Sequence, residues 1–224
     1  MEDQTSDQTK LFTTLAIFKY INAILSSYTT VYNRYLLPAL LKHRDRQITI
    51  MDLGSGGCDI PLWLHDRCIQ LGLNVKFVCI DTDPRAVAFG KEACARFKSI
   101  SIERVDFFDL DPASLEVDYI VSNHLLHHID TQRMSDFLYR VSNGAQRGFI
   151  MNDVCRSWQA YLLFTILAAI CFRKGFAFHD GRLSIRKSFT LKEINSIIKN
   201  AGLEGAVKIK PLFPFRYLLM SSNW

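Results

Sequence analysis

The chain lacks the marks of several protein classes. Its six cysteines, at positions 58, 68, 79, 94, 155 and 171, form no CxxC pair. A chain of 224 residues is long enough to hold a core without disulfide staples. The thiols are therefore read as reduced and mostly buried, in a cytoplasmic protein. No run of five or more like charges occurs and the net charge is only +5, so no nucleic-acid arm and no nucleic-acid partner are expected. The opening MEDQTSDQTK has no basic stretch leading into an apolar core, so no secretory signal is expected. The longest apolar run, Trp158 to Phe172, has 15 residues, short of the roughly 20 that cross a bilayer. It is expected to be a buried helix rather than a transmembrane segment, with contact to a membrane surface or a greasy substrate as the minor reading. Internal repeats and low-complexity tracts are also missing. The 49% apolar and 22% charged composition excludes a wholly disordered chain.

What is present is a change of pattern near residue 47. Leu11, Leu15, Phe18, Ile21 and Leu25 recur at steps of three and four, so residues 11–42 read as helical, with a second helix starting near Thr30. From Ile48 onward, short apolar runs alternate with helical stretches. Strands are expected at 48–53, 75–80, 100–105, 117–122 and 147–151, and two more near 207–209 and 215–220. Helices fall between them. Pro61 and Pro84 sit in first turns, Asp83 is placed to cap, and Thr190 and Glu193 are spaced as a capping box. Residues 173–189 are polar and basic with no clear period. This alternation predicts an α/β fold: a three-layer αβα Rossmann-like sheet, mostly parallel, with helices on both faces. The division expected is an N-terminal helical cap over 1–46 and a main domain over 47–224, with a helical or lid insertion at about 155–189.

In such sheets ligands sit where strands end at the carboxyl edge. The first strand ends in Asp52-Leu-Gly54-Ser55-Gly56-Gly57, whose glycines let backbone approach a ligand closely. The second ends in Asp81, 29 residues after Asp52, placed to accept from two ribose hydroxyls. Asp81 could equally be a turn residue. The two features together suggest a nucleoside cofactor. A pyrophosphate beside Asp52 and Asp59 would be poorly matched in charge, and the third glycine of a dinucleotide fingerprint is missing, so a cofactor with a cationic end fits better. The third strand leads to Val105-Asp106-Phe107. The fourth ends in Ser122-Asn123-His124-Leu125-Leu126-His127-His128. No HExxH glutamate accompanies the histidines, since Leu125 stands in its place, and no metal is expected.

At these residues the chain resembles the class I S-adenosylmethionine-dependent methyltransferases. DLGSGG looks like their glycine motif, CIDTDP their ribose-binding strand end, VDFFD their adenine-side motif and DYIVSNHLLHHI their fourth-strand motif. The likeness spans about Ile48 to Met220 and implies an antiparallel last strand. HDGRLSIRKSFT, residues 179–190, resembles a small-molecule subgroup, several members of which are encoded beside polyketide synthases. The resemblance implies S-adenosylmethionine as cofactor, with S-adenosylhomocysteine as product. It places Asp52, Gly54, Ser55 and Gly56 at the methionine and ribose, Asp81 on the ribose hydroxyls and Thr82 against adenine. Asp106 and the Phe107 amide would meet the adenine edge, and Asn123 and His124 the methionyl part. Cys58, where many members have glycine, is expected to be tolerated.

A phenolic acceptor titrates near 10, so a base would help at neutral pH. His128 and His127 are the candidates, each weighed against a purely structural role, with Asp153 orienting base or substrate. Tyr28, Tyr32, His179, Arg182 and Arg186 are expected at the substrate side. Tyr28 and Tyr32 belong to an aromatic roof that also draws on Phe12, Phe18, Trp158, Tyr161 and Phe164. The expected reaction is methylation of a small hydrophobic or aromatic metabolite, on oxygen of a phenolic or polyketide hydroxyl. The alternatives are C- or N-methylation of a quinone precursor or heterocycle, and a non-catalytic cofactor-binding regulatory module. The partner expected is a small molecule, and the protein a monomer or homodimer.

Overall fold

The computed structural model describes residues 26–171 and 176–224; the helix expected over 11–25, with Phe12 and Phe18, lies outside them. The described chain opens with two short helices, α1 (Tyr28–Val31) and α2 (Leu37–Leu41), joined by a π-helical turn over Tyr32–Leu36. Strands and helices then alternate: β1 (Ile48–Leu53), α3 (Asp59–Gln70), β2 (Val75–Asp81), α4 (Pro84–Cys94), β3 (Ile100–Arg104), β4 (Val117–Asn123), α5 (Thr131–Gly144) and β5 (Ala145–Val154). Two consecutive helices follow, α6 (Trp158–Cys171) and α7 (Phe176–Lys187), then α8 (Leu191–Asn200), β6 (Val207–Leu212) and β7 (Arg216–Ser221). The sheet has seven strands in the order β3-β2-β1-β4-β5-β7-β6. All neighbours are parallel except that β7 runs against both β5 and β6.

Alternating side chains on each strand feed two cores. On β1, Ile48 and Ile50 join Phe77, Leu64, Val87 and Tyr119 on one face, while Met51 and Leu53 join Phe137, Val141, Ile194 and Tyr217 on the other. Burying each such side chain fully contributes about 1.5–3 kcal/mol. Local chemistry fixes the helix starts. Asp83 accepts from the Arg85 amide at 2.9 Å with Pro84 at the first helical position. Thr190 and Glu193 form the expected reciprocal box, the Thr190 amide donating to Glu193 Oε2 at 2.7 Å.

Two readings change with the structure. Within 173–189, where the sequence shows no clear period, residues Phe176–Lys187 form the helix α7. Gly181 is where the Phe164 ring of α6 seats, and an added Cβ would stand 2.2 Å from that ring. Interhelix packing therefore overrides the low helix propensity of glycine. The second correction concerns α6, which is not a buried helix. It turns the small residues Ala160 and Ala168 inward and leaves Trp158, Leu162, Leu163 and Ile166 more than half exposed. Among the described residues no helix is long and apolar enough to cross a membrane.

Candidate active site

The carboxyl ends of β1, β2, β4 and β5 converge on a cavity of about 1350 Å³. Its floor is the β1–α3 turn. Gly54 has φ +67° and Gly56 +52°, and a Cβ on Gly54 would lie 2.9 Å from Leu125 Cδ1, so the turn demands glycine. Cys58 also takes a left-handed conformation, φ +59°, which costs about 1 kcal/mol for a residue with a Cβ. Its side chain is fully buried, and the bare Cα of Gly90 makes room for its sulfur.

Asp81 closes β2 beside this turn. One carboxylate oxygen accepts from the Gly56 amide at 2.8 Å and the other from the Asp83 amide at 2.9 Å. Each oxygen retains a further lone pair toward the cavity rim. Burial raises its pKa against the pull of these amides. Asp52 is buried more deeply, and desolvation raises its pKa well above normal, with Asp59 and Asp81 adding to the effect. A second set of walls comes from Asp106, whose carboxylate accepts from the Phe108 amide at 2.9 Å, and from the neighbouring Phe107.

At the β4 end a polar network links four elements. Asp153 of β5 is fully buried, and its carboxylate lies 2.9 Å from His127 Nδ1 and accepts from the His127 amide at 3.0 Å. It also accepts from the Val154 amide at 2.7 Å. Burial alone would raise Asp153, but the hydrogen bond of His127 and the positive charge of Arg216 hold the carboxyl below the usual range. Arg216 at the start of β7 is 4% exposed. It donates through Nε to Asn152 Oδ1 at 2.9 Å and through Nη2 to Asn123 Oδ1 at 3.2 Å. Burial lowers its pKa to about 10. Asn123 Oδ1 also accepts from Asn152 Nδ2 at 3.0 Å, which fixes the amide orientation, and Asn123 Nδ2 is a buried donor with no partner.

All ten residues expected at a cofactor line the cavity: Asp52, Gly54, Ser55, Gly56, Asp81, Thr82, Asp106, Phe107, Asn123 and His124. His127 and His128 line it as well, His127 buried and His128 exposed, and Asp153 stands behind His127. The structure does not bring the five substrate-side candidates to the cavity. Tyr28 and Tyr32 are core residues packed edge-on against Trp63, with ring centroids 5.7 and 5.3 Å apart. His179 has an 80% exposed side chain. Arg182 lies on Tyr161, its Nε donating to the phenol oxygen at 2.9 Å. Arg186 is exposed on α7 and does not line the cavity. The apolar wall facing the histidines is made instead by Leu163, Phe164 and Leu167 of α6 and Leu183 of α7.

His124, His127 and Asp153 place ligand atoms within 4.8 Å of one another, a spacing a cation site can use. Both oxygens of that carboxylate already accept from backbone amides, and the Arg216 guanidinium stands 3.1 Å from His124. A second cation is therefore opposed by charge and by committed donors, and the arrangement is that of an oriented histidine.

A family model described as a methyltransferase domain matches residues 51–148. No curated protein matches the chain. Many solved structures share the fold, among them the following three. One, from Methanococcus maripaludis and described as an S-adenosyl-L-methionine-dependent methyltransferase, aligns with a TM-score of 0.65 at 13% identity, over 100% of this chain and 97% of that one. Human N-acetylserotonin methyltransferase, solved in complex with SAM, aligns with a TM-score of 0.64 at 15% identity, over 96% of this chain and 56% of that one. The CurJ carbon methyltransferase aligns with a TM-score of 0.65 at 13% identity, over 96% of this chain and 58% of that one. The chain thus spans little more than half the length of the latter two. These likenesses establish the fold as that of the class I methyltransferases.

Proposed function

We propose that the protein is an S-adenosylmethionine-dependent methyltransferase acting on a small, largely apolar molecule. The observation that carries this reading is the joint placement of the Gly54–Gly56 cradle and the Asp81 carboxylate on one cavity rim. The residues fit the cofactor. Asp81 keeps acceptor capacity for a ribose diol, and the unpartnered Asn123 Nδ2 is a donor fit for a carboxylate or carbonyl oxygen. Asp52 and Asp59 favour a ligand with a cationic end, which would offset the raised pKa of Asp52. When bound, the cofactor supplies the electrophilic methyl group and its own leaving group. The protein then has to bind, align and exclude water, and alignment alone contributes about 7–11 kcal/mol in favourable systems.

His127 is the base in this reading. Asp153 engages Nδ1, so the proton rests there and Nε2 is the nitrogen left to take a proton from the acceptor. His128 lines the same cavity, its ring centroid 4.1 Å from that of His127, and shapes the approach. The acceptor meets the apolar wall of α6 and α7, which suits a polyketide, phenol or quinone precursor better than a macromolecule.

Two acceptor atoms are compatible with one histidine base: a phenolic oxygen and an acidic carbon. One relative in fold is a carbon methyltransferase, which favours transfer to carbon in this reading. The likeness to N-acetylserotonin methyltransferase gives the phenolic reading no comparable pointer to an atom. The test is mass spectrometry of candidate enolisable and phenolic acceptors incubated with enzyme and S-adenosylmethionine. A mass gain of one methylene equivalent, located on carbon by fragmentation, is the expected result. Uptake of cofactor with no product from any acceptor would favour the regulatory module instead.

A further inference from the structure

Helix α6 is built inside out for a helix on a globular surface. Ala160 and Ala168 face the protein at 4% and 0% exposure, while Trp158, Leu162 and Ile166, on a row of steps of four, are 70%, 51% and 51% exposed. Leu163, at 55%, and Leu167, at 37%, extend the apolar face toward the cavity mouth, which they also line. Soluble helices place their large apolar side chains the other way round. No charged residue interrupts the helix from Trp158 to Cys171. Beyond the helix, Phe213, 87% exposed, stands on the β6–β7 turn, and that turn meets the lead-in to α6 through the Cys155 amide, which donates to the Phe215 carbonyl at 2.7 Å.

The charge distribution identifies what such a face meets. Residues 155–189 carry six Lys and Arg (Arg156, Arg173, Lys174, Arg182, Arg186, Lys187) against one acid, Asp180, although Arg156 is paired with Glu193 of α8 and Arg182 donates to Tyr161. The rest of the chain then carries 21 basic and 21 acidic residues out of totals of 27 and 22. The whole +5 excess therefore belongs to the segment that exposes the apolar face. An apolar face within a segment of net positive charge complements an anionic lipid surface, in which acyl chains lie beneath negative headgroups. A second copy of this chain would meet the same cations and repel them. At 14 residues the helix is about 21 Å long, too short to span and suited to lying in the interface.

We propose that the α6–α7 pair is a docking surface for an anionic lipid bilayer, with Trp158, Leu162 and Ile166 among the acyl chains and Arg186 at the headgroups. The cavity mouth between Leu163 and Leu167 then opens onto the bilayer. A corollary, which rests on the methyltransferase reading above, is that the acceptor is a lipophilic molecule drawn from the membrane.

The experiment is flotation of the full chain with vesicles of phosphatidylcholine alone or mixed with phosphatidylglycerol, at low and high salt. The wild type floats with the mixed vesicles, releases as salt rises, and stays behind with neutral ones. Leu162→Glu with Ile166→Glu lowers vesicle partition about tenfold or more, with circular dichroism unchanged. Arg186→Glu, a surface change that spares the apolar face, lowers it severalfold and carries the test should the double variant misfold. Failure to float with mixed vesicles, or equal flotation of wild type and both variants, overturns the proposal. So does a concentration-dependent dimer that the double variant abolishes in the absence of lipid. Calorimetric titration with S-adenosylmethionine in solution, which none of these substitutions touches, reports separately on the cofactor reading.

Discussion

Arg216 Nη1 lies 3.1 Å from His124 Nε2. A guanidinium can only donate, so that ring nitrogen must present its lone pair. His124 is therefore neutral, with its proton on Nδ1 and facing Asp153 Oδ1 at 3.8 Å. Burial is the main cause of its lowered pKa, and the Arg216 charge adds to it. One arginine on the last strand thus sets the tautomer of a residue on the rim of the fourth.

This relationship has a pH signature in stability. The folded pKa of His124 lies well below its ordinary value, so the unfolded chain binds more protons once pH falls under about 6.5. Stability is fully present above that point and is lost as pH drops below it. His124→Asn keeps a residue that tolerates the left-handed φ of +64° and removes the titration. Thermal melts from neutral pH to mildly acid pH should show a shallower decline in the variant, and parallel curves would contradict the assignment.

Asp81→Ala should weaken S-adenosylmethionine binding by about tenfold to a hundredfold, the scale expected for losing hydrogen bonds to a charged acceptor. Isothermal titration reads this directly. Since Asp81 also ties the Gly56 and Asp83 amides together, the melting temperature should fall too. Affinity equal to wild type would remove Asp81 from the ribose role.

His127→Ala should cut turnover about 10²–10⁴-fold while leaving cofactor affinity within a few-fold. Asp153→Asn should also slow turnover and alter its pH profile, because the carboxylate engages Nδ1 and the amide of residue 127. His128→Ala should cost less than either. A reversed order of the two histidine variants would move the base to His128.

Gly181→Ala should loosen the α6–α7 pair, since its Cβ would meet Phe164 Cζ at 2.2 Å. Overpacking of this kind costs about 1–3 kcal/mol. Amide exchange should accelerate in the helix over Phe176–Lys187. Combining it with Phe164→Leu should recover much of the loss, and additive effects would show that the two residues do not act through contact.

The sheet was legible in the sequence because each strand is a short apolar run bounded by turn residues, as in Ile48–Leu53 before Gly54. Caps such as Asp83 and Thr190 were legible because their partners lie two or three residues away. The placement of Asp81 beside Gly54 followed from two strand ends sharing one edge. The bounds of helix α7 within the expected helical or lid insertion were not legible, because one of its stabilising contacts, Phe164 on Gly181, lies in another helix. Tyr28 and Tyr32 misled because aromatic residues at helical spacing look alike whether they roof a cavity or pack on Trp63. Arg216 was missed entirely. Its only trace is a charge at the head of the apolar strand Arg216–Ser221, and its partners Asn123, His124 and Asn152 lie 93, 92 and 64 positions away.

The reversed direction of β7 brings its first residue, not its last, to the edge where the parallel strands finish. The guanidinium that orders Asn123 and His124 is thus delivered by the last strand in the chain. The order of Asn123, Asn152 and His124 therefore depends on the β6–β7 hairpin lying beside β5, although none of the three belongs to it.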